Sequence, residues 1–361
     1  MSSIPENNEI RKIQFTGRST YILSLPKRWM SEMRLKAGDP VTIVREANNY
    51  LSIIPSVMRS SSTVDEAVST VLNTETSNTI KRKVVSMYLA GYNIINLKAK
   101  AGRILPSQRD AVRDVVRRNL VGTEIIADAS EIITIQVLLS LPELSINTAV
   151  RRMFLIASAM HRDAMLSLAE LNYELAEAVI KSDDEVDRFS LYILRNLVIA
   201  TQNERILQEI GLRKSSDCLS YRVAVKSIER IADHASGIAD KCISIKNRID
   251  RDVIQRIDNM SKQSLALITD SVEAFLRRDY ALADSIVDKA NDMRSVENEV
   301  LSFIDKNESS SSGSNSLNIK LILEDIRRTA EHASDIAEAA MNQTIRGVIE
   351  LNKSSRVSNA S

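Results

Sequence analysis

The sequence predicts a mostly helical protein: a tandem pair of three-helix bundles preceded by a small β-rich domain and a small α/β module. Two observations carry this. Ile228–Ala239 and Ile326–Ala337 lie 98 residues apart and match at eight of twelve positions, where average residue usage gives about one match. A repeated helix implies a repeated bundle. The composition agrees, with 4% aromatic residues, nine glycines and six prolines in 361 residues, a balance that favours helix over sheet.

Residues 1–57 form the β-rich domain. Thr20–Leu25 is rich in strand-forming residues and is halted by Pro26, and Lys27–Met33 has room for a short helix after that proline. Gly38-Asp39-Pro40 reads as a turn, Val41–Val44 as a strand, and Asn48-Asn49 as a hairpin-type turn before Leu51–Ile54. Strands this short bury little in one copy, so the unit is expected to dimerise. Arg59–Thr63 reads as a hinge.

Residues 64–140 form the α/β module. Helix is expected over Ile80–Ala90, strand over Tyr92–Leu97, and a helix over Gln108–Asn119 capped by Ser107, with strands at Glu124–Ala127 and Ile132–Val137. From Ser145 the pattern is helical, with a first bundle over 145–248 and a second over 249–350. Apolar residues from Ile146 to Ala178 recur at steps of three and four, as a core-facing stripe requires. Asp183-Asp184 is read as restarting the chain into its second helix, and Ser309–Ser316 as a flexible loop. Repeat helices are expected near 252–278, 281–306 and 316–346.

A net charge of +1 hides a strong polarity. Ile10–Lys36 holds seven Lys/Arg and one acid, and Asn78–Asn119 holds ten against two, whereas 37 acids face 29 bases from Leu120 onward. The front is a candidate polyanion-binding surface and the rear a candidate cation-binding one. No stretch approaches the roughly 18 apolar residues that span a bilayer, and the first residues lack the features of a signal peptide. Two cysteines, Cys218 and Cys242, offer no disulfide framework. The expectation is a soluble, cytoplasmic protein without membrane insertion.

Glu229 and Asp233 stand four apart on one helix face, as do Asp183 and Asp187. Two such pairs on neighbouring antiparallel helices place four hard oxygen donors around one space, suited to Mg, Mn, Ca or Fe. The same residues also read as acids favouring a helix N-terminus, or as part of a solvated face. His234 and His332 each follow a carboxylate, and adjacent helical residues point about 100° apart, so they face neighbouring helices; His161 is read as structural.

Ser227–Asp240 resembles the metal-binding helix of PhoU proteins, phosphate-uptake regulators built as two three-helix bundles, and Asp184-Glu-Val-Asp187 resembles their other acidic element. The resemblance covers about residues 145–350. It implies iron or zinc ions at Asp183, Asp187, Glu229 and Asp233. The second repeat departs from the pattern: Arg327 and Glu331 replace the carboxylate pair, and Ala290 through Arg294 replaces Asp183–Asp187. One site, in the first bundle, is therefore expected; Glu331, Asp335 and Glu338 leave room for a weaker one a turn later.

Gly17–Trp29 followed by Leu35–Asp39 resembles the SpoVT/AbrB-like swapped-hairpin DNA-binding domain, which archaeal PhoU-type regulators carry ahead of their bundles. That resemblance implies a homodimer, and makes Arg11, Lys12, Arg18, Lys27, Arg28 and Arg34 the candidate phosphate-contacting residues on DNA. Such contacts supply affinity and salt sensitivity, not base choice. The function expected is transcriptional regulation of phosphate uptake. The alternative is an adaptor that docks on a phosphate transporter ATPase or a sensor kinase without reading an operator. The sequence holds no Walker loop, Gly-x-Ser-x-Gly or Cys/His nucleophile arrangement, and an enzyme is not expected.

Overall fold

A computed structural model describes residues 9–17, 19–45, 50–55, 66–138, 145–307 and 313–349. The chain divides into two units, Met1–Val64 and Asp65–Ser361. In the first, β1 (Gln14–Thr16) pairs antiparallel with β2 (Thr20–Ile22), setting Phe15 opposite Tyr21 with ring centroids 5.1 Å apart. Helix α1 (Lys27–Glu32) follows Pro26 directly. It ends at Arg34, which takes a left-handed φ of 55° while the Leu35 N–H donates back to the Met30 carbonyl at 2.8 Å, a Schellman-type finish. Strands β3 (Val41–Arg45) and β4 (Leu51–Pro55) form a second hairpin. The expected Asn48-Asn49 turn and Arg59–Thr63 hinge lie outside the described residues.

The second unit opens with a four-stranded sheet of order β5-β6-β8-β7: β5 (Glu66–Val71), β6 (Ile94–Ala99), β7 (Thr123–Asp128) and β8 (Ile132–Val137). β5 and β6 are parallel, joined through α2 (Ser77–Leu89); the other pairings are antiparallel. Val71, Ile95, Leu97, Ile133 and Ile135 pack beneath Ile80, Val84 and Tyr88 of α2 and Val112 and Val115 of α3 (Pro106–Arg118). Ser107 is not the cap of α3. Pro106 takes the first helical position, where its missing N–H costs nothing, and the Gln108 side chain accepts the Leu105 N–H at 3.1 Å. The same amide donates to the Leu72 and Glu75 carbonyls, both at 2.9 Å, tying α3 to the turn that follows β5.

The helices are α4 (Ile146–Glu170), α5 (Tyr173–Gln202), the short α6 (Glu204–Glu209), α7 (Asp217–Ser244), α8 (Arg251–Arg277), α9 (Tyr280–Asn307) and α10 (Gly313–Val348). The first bundle packs α4, α5 and α7, and the second packs α8, α9 and α10. The expected restart at Asp183-Asp184 is overturned. The chain breaks earlier, at Leu171, which adopts φ 56°, ψ 42°, and Asn172 then caps α5 by accepting the Leu175 N–H at 3.1 Å. The apolar stripe runs through Leu168, Leu171 and Leu175 without losing step, so periodicity cannot reveal the turn. The second repeat turns in the same way 107 residues on: Arg278 has φ 60° and Asp279 accepts the Leu282 N–H at 3.0 Å. Gly313–Ser316, expected within a loop, belong to the first turn of α10, and the serines before them lie outside the described residues.

The two duplicated helices meet. The His234 and His332 rings stack with centroids 5.4 Å apart, and Lys241 reaches Asp325 at 2.8 Å; contacts that advance on one helix and retreat on the other define an antiparallel crossing of α7 and α10. Gly237 makes room for it, since a Cβ there would stand 3.1 Å from Asp325 Oδ2. One apolar core runs through both bundles. Among the described residues no helix is long and apolar enough to cross a membrane.

His161 lies on the second contact between bundles, fully buried on α4, with its Nε2 2.8 Å from Ser261 Oγ of α8. Its Nδ1 is buried and has no hydrogen-bond partner among the described residues. Burial, then the charges of Arg162 and His234, lower its pKa from 6.5 to about 4. The unfolded chain therefore binds this proton more readily than the folded one, and the stability contributed is lost as pH falls from about 6.5 towards 4. Replacing His161→Gln, which keeps a partner for Ser261, should remove roughly 2 kcal/mol of the stability difference between pH 7 and pH 5 in denaturant titrations. An unchanged difference would contradict the assignment.

Candidate functional site

Asp183 and Asp187 sit one turn apart in the middle of α5, and Glu229 and Asp233 one turn apart on α7, which packs against it. Acids eleven or more residues into a helix cannot serve its N-terminus, so that alternative reading is overturned. All four occupy one electrostatic field. Burial and then the charges of Asp233 and Asp187 push the Asp183 pKa up to about 7. Burial, Glu229 and Asp233 push Asp187 up to about 6, and desolvation followed by Glu229 raises Asp233. Glu229 is held in place: Ser190 Oγ donates to it at 2.5 Å and the Lys226 ammonium lies 2.5 Å from both of its oxygens.

Lys226, Arg230 and His234 offset part of this charge, yet burial and mutual repulsion still raise Asp183, Asp187 and Asp233. The side chains offer hard oxygens throughout, the donor type that divalent and trivalent cations prefer. Among the described residues, no three His, Cys, Asp or Glu side chains converge as a finished ligand cage. The structure thus brings the four predicted residues onto one face while Glu229 remains engaged with Lys226 and Ser190.

The second bundle resolves the same problem internally. Arg327, the counterpart of Glu229, is nearly buried and reaches Glu297 at 2.8 Å and also Glu331. Glu297 lies 107 residues after Ser190, so a Ser–Glu contact in one repeat becomes a Glu–Arg contact in the other. Sequence reading flagged Arg327 but missed Ser190, Lys226 and Glu297; aligning α5 with α9 at the spacing of the two Leu/Arg turns finds Ser190 and Glu297. The two histidine rings stack on each other between α7 and α10, and His332 also bonds within its own helix. His234 Nδ1 lies 3.0 Å from Asp325 Oδ1, and His332 Nδ1 lies 3.0 Å from Asp335 Oδ2.

The basic stretches behave differently from one another. In the α/β module Lys81 and Arg118 pair with Asp114, Lys83 with Glu75, and Arg109 and Arg113 with Asp128. Half of that stretch's ten cations are thereby neutralised, which removes much of its predicted polyanion-binding character. In the first unit Lys12, Lys27 and Arg34 are exposed and carry no ion pair among the described residues. Arg28 pairs with Glu32 at 2.8 Å and Arg11 with Glu9. Arg18 lies outside the described residues.

Comparison with known proteins matches residues 150–242 and 257–340 to the PhoU domain. The helical region is a tandem pair of PhoU domains. Residues 14–60 match the family described as antidote-toxin recognition MazE, bacterial antitoxin. The phosphate-specific transport system accessory protein PhoU homolog 1 of Thermotoga maritima is 27% identical over 216 residues, 55% of this chain and 89% of that protein. The corresponding PhoU homolog of Clostridium acetobutylicum is 25% identical over 164 residues, 44% of this chain and 73% of its own length. The crystal structure of the phosphate transport system regulatory protein PhoU from Streptococcus pneumoniae superposes with a TM-score of 0.48 at 22% identity, covering 57% of this chain and 96% of that one. The chain therefore joins phosphate-transport accessory domains to a MazE/AbrB-like N-terminal region.

The raised carboxylate pKa values carry a sign opposite to that of His161. A folded pKa above the unfolded one means the folded state binds the proton more readily, so stability falls as pH rises from about 4 through 7. In cation-free buffer Asp183→Asn should stabilise the first PhoU domain at pH 8 by about 1–2 kcal/mol after allowance for solvent screening. The gain should shrink to less than half near pH 5 and vanish only below about pH 4, the unfolded value. Denaturant titrations at the two pH values read this, and a gain that is equal at both sinks the electrostatic account.

Proposed function

We propose that this chain is a dimeric regulator of phosphate uptake that holds DNA through residues 1–57 and responds to a cation at Asp183, Asp187, Glu229 and Asp233. One observation carries the DNA reading. In the first unit Phe15 is 59% exposed, Tyr21 73%, Ile43 64% and Leu51 68%, and Lys12, Lys27 and Arg34 are exposed and carry no ion pair among the described residues. Among the described residues of this unit, the buried apolar side chains are Leu35 and the prolines Pro26 and Pro55. Strands with apolar residues on an open surface need a second copy to bury them, and a dimer doubles the positive face along the phosphate backbone.

The cation reading rests on the unneutralised repulsion between α5 and α7. A bound iron, zinc, manganese, magnesium or calcium ion would supply positive charge there. Asp183 and Asp187 would hold it from one helix and Glu229 and Asp233 from the other, with Lys226 giving way. Neutralising that face lets α5 and α7 approach without cost. The relatives' names support a second reading for residues 150–340: docking on a component of a phosphate transport system, such as its ATPase or an associated sensor kinase, with residues 1–57 serving only to dimerise.

Salt titrations of DNA binding separate the two. The substitutions Lys12→Ala, Lys27→Ala and Arg34→Ala together should weaken binding and flatten the dependence of log K on log salt by roughly 0.9 for each phosphate contact removed. Binding that keeps its slope in this variant leaves only the adaptor reading. For the cation, elemental analysis of natively purified protein should find metal that is lost in Asp183→Asn/Glu229→Gln; equal content in both would remove the site.

A further inference from the structure

Helix α5 does more than carry Asp183 and Asp187. Beyond Ser190, which donates to Glu229, residues Leu191, Arg195 and Ile199 follow at steps of four and so lie along one face. That face meets the α/β module. Leu191 packs against the module's core. Arg195, 4% exposed, donates to the carbonyls of Tyr88 and Gly91, the latter at 3.0 Å, and to Asn93 Oδ1 at 2.8 Å, with its guanidinium 4.8 Å from the centre of the Tyr88 ring. Ile199 closes the contact: a Cβ on Gly91 would stand 3.2 Å from Ile199 Cγ1, and Gly91 holds φ +99°.

The chemistry of this contact is that of a helix end. The last carbonyls of a helix carry partial negative charge; the Tyr88 carbonyl accepts the Gly91 N–H at 3.1 Å and keeps room for a guanidinium donor. A guanidinium presents several donors in a fixed fork, which a lysine cannot copy. Among the described residues α2 against α5 is the largest element-to-element contact between the module and the bundles.

The duplication provides an internal comparison. The positions 107 residues on are Asn298, Ser302 and Lys306, all exposed. The stripe Leu191–Arg195–Ile199 therefore does not follow from bundle packing, since the other bundle does without it.

We propose that this stripe is an intramolecular docking surface, and that Arg195 is the strut through which the carboxylate face of α5 and α7 sets the position of the α/β module. One helix bears both features, with Ser190 between them, so a shift of α5 against α7 is delivered to the C-terminal end of α2. Arg195 is a positioning residue here, and the transmission rests on the cation reading above, while the docking surface does not.

Hydrogen exchange of the full chain tests both parts, with Mn2+ as the probe and calorimetry to record its binding. In wild type, Mn2+ should change exchange over residues 88–94 by at least about threefold, and Asp183→Asn/Glu229→Gln should abolish the change. Arg195→Met should bind Mn2+ with unchanged affinity, lose the response at 88–94, and raise exchange there about tenfold without Mn2+. Arg195→Lys, which keeps the charge but not the fork, should show the same loss in weaker form while the bundles exchange as in wild type. Mn2+ binding to wild type with no change at 88–94, or a response that survives Arg195→Met, overturns the transmission. If Mn2+ does not bind wild type, the transmission fails, while the metal content of natively purified protein decides the cation reading separately. The strut is then judged by exchange without the ion: rates at 88–94 equal in wild type and Arg195→Met overturn it, and faster exchange in the variant supports it.

Discussion

The antiparallel crossing of α7 and α10 is the constraint on which the rest of the helical region depends. Both helices descend from one sequence, so the same residues meet from either side. Ile228, Ala232, Ala235, Ile238 and Ala239 are fully buried, and so are their counterparts Ile326, Ala330, Ala333, Ile336 and Ala337. In an isologous contact a residue near the two-fold axis touches its own counterpart. His234 and His332, stacked at 5.4 Å, do so. The crossing thus places a pseudo-two-fold axis inside a single chain and merges two bundle cores into one.

Symmetry at that axis is not carried outward. Lys241 and Asp325 form an ion pair across the crossing, whereas the residues at their symmetry-related positions, Ala339 and Ser227, carry no charge. Gly237 admits Asp325 closely, while its counterpart Asp335 turns back to His332. The largest divergence is electrostatic. The second bundle places the Arg327 guanidinium among Glu297 and Glu331 and so meets its carboxylates with its own side chain. The first keeps carboxylates on α5 and α7, with Lys226 against Glu229 and the charges of Arg230 and His234 acting on Asp233. Leaving buried or half-buried charges without a counterion is costly, and a cost retained in one of two equivalent sites points to use rather than to packing.

Much of this was legible in the residues. The eight-of-twelve match located α7 and α10 and implied the duplication, and three-and-four periodicity located the stripes of α4 and α5. What periodicity could not locate was the turn at Leu171. The break uses a left-handed leucine followed by an asparagine cap, with no glycine or proline to mark it, and the apolar step continues across it. That error moved Asp183 to a helix start and kept alive an N-terminal role that its true mid-helix position excludes. Strand β5 escaped for a related reason. Glu66–Val71 is an edge strand, exposed at alternate residues, and carries little apolar signal. Charge counting read the ten cations of the α/β module as a binding surface because ion pairs such as Arg113–Asp128, fifteen residues apart, are tertiary and leave no local pattern.

The two copies, compared position by position, separate what the bundle needs from what has been added to it. The αL turn with its Asn or Asp cap is shared by both repeats, as are the buried Ile/Ala positions of the third helices, so these belong to the fold. The departures concentrate on the first bundle, on two neighbouring helices. Glu229 stands against Arg327 and Ser190 against Glu297, and the stripe Leu191–Arg195–Ile199 stands against exposed Asn298, Ser302 and Lys306. On α5 the carboxylate face and the docking face follow one another within a few turns, so any force that moves α5 relative to α7 acts on both. A helix offers little internal give over that distance, because each backbone hydrogen bond would have to yield. The first bundle therefore carries the departures from the common plan and the second keeps its charge pairs within itself, while one apolar core across the α7–α10 crossing joins the two.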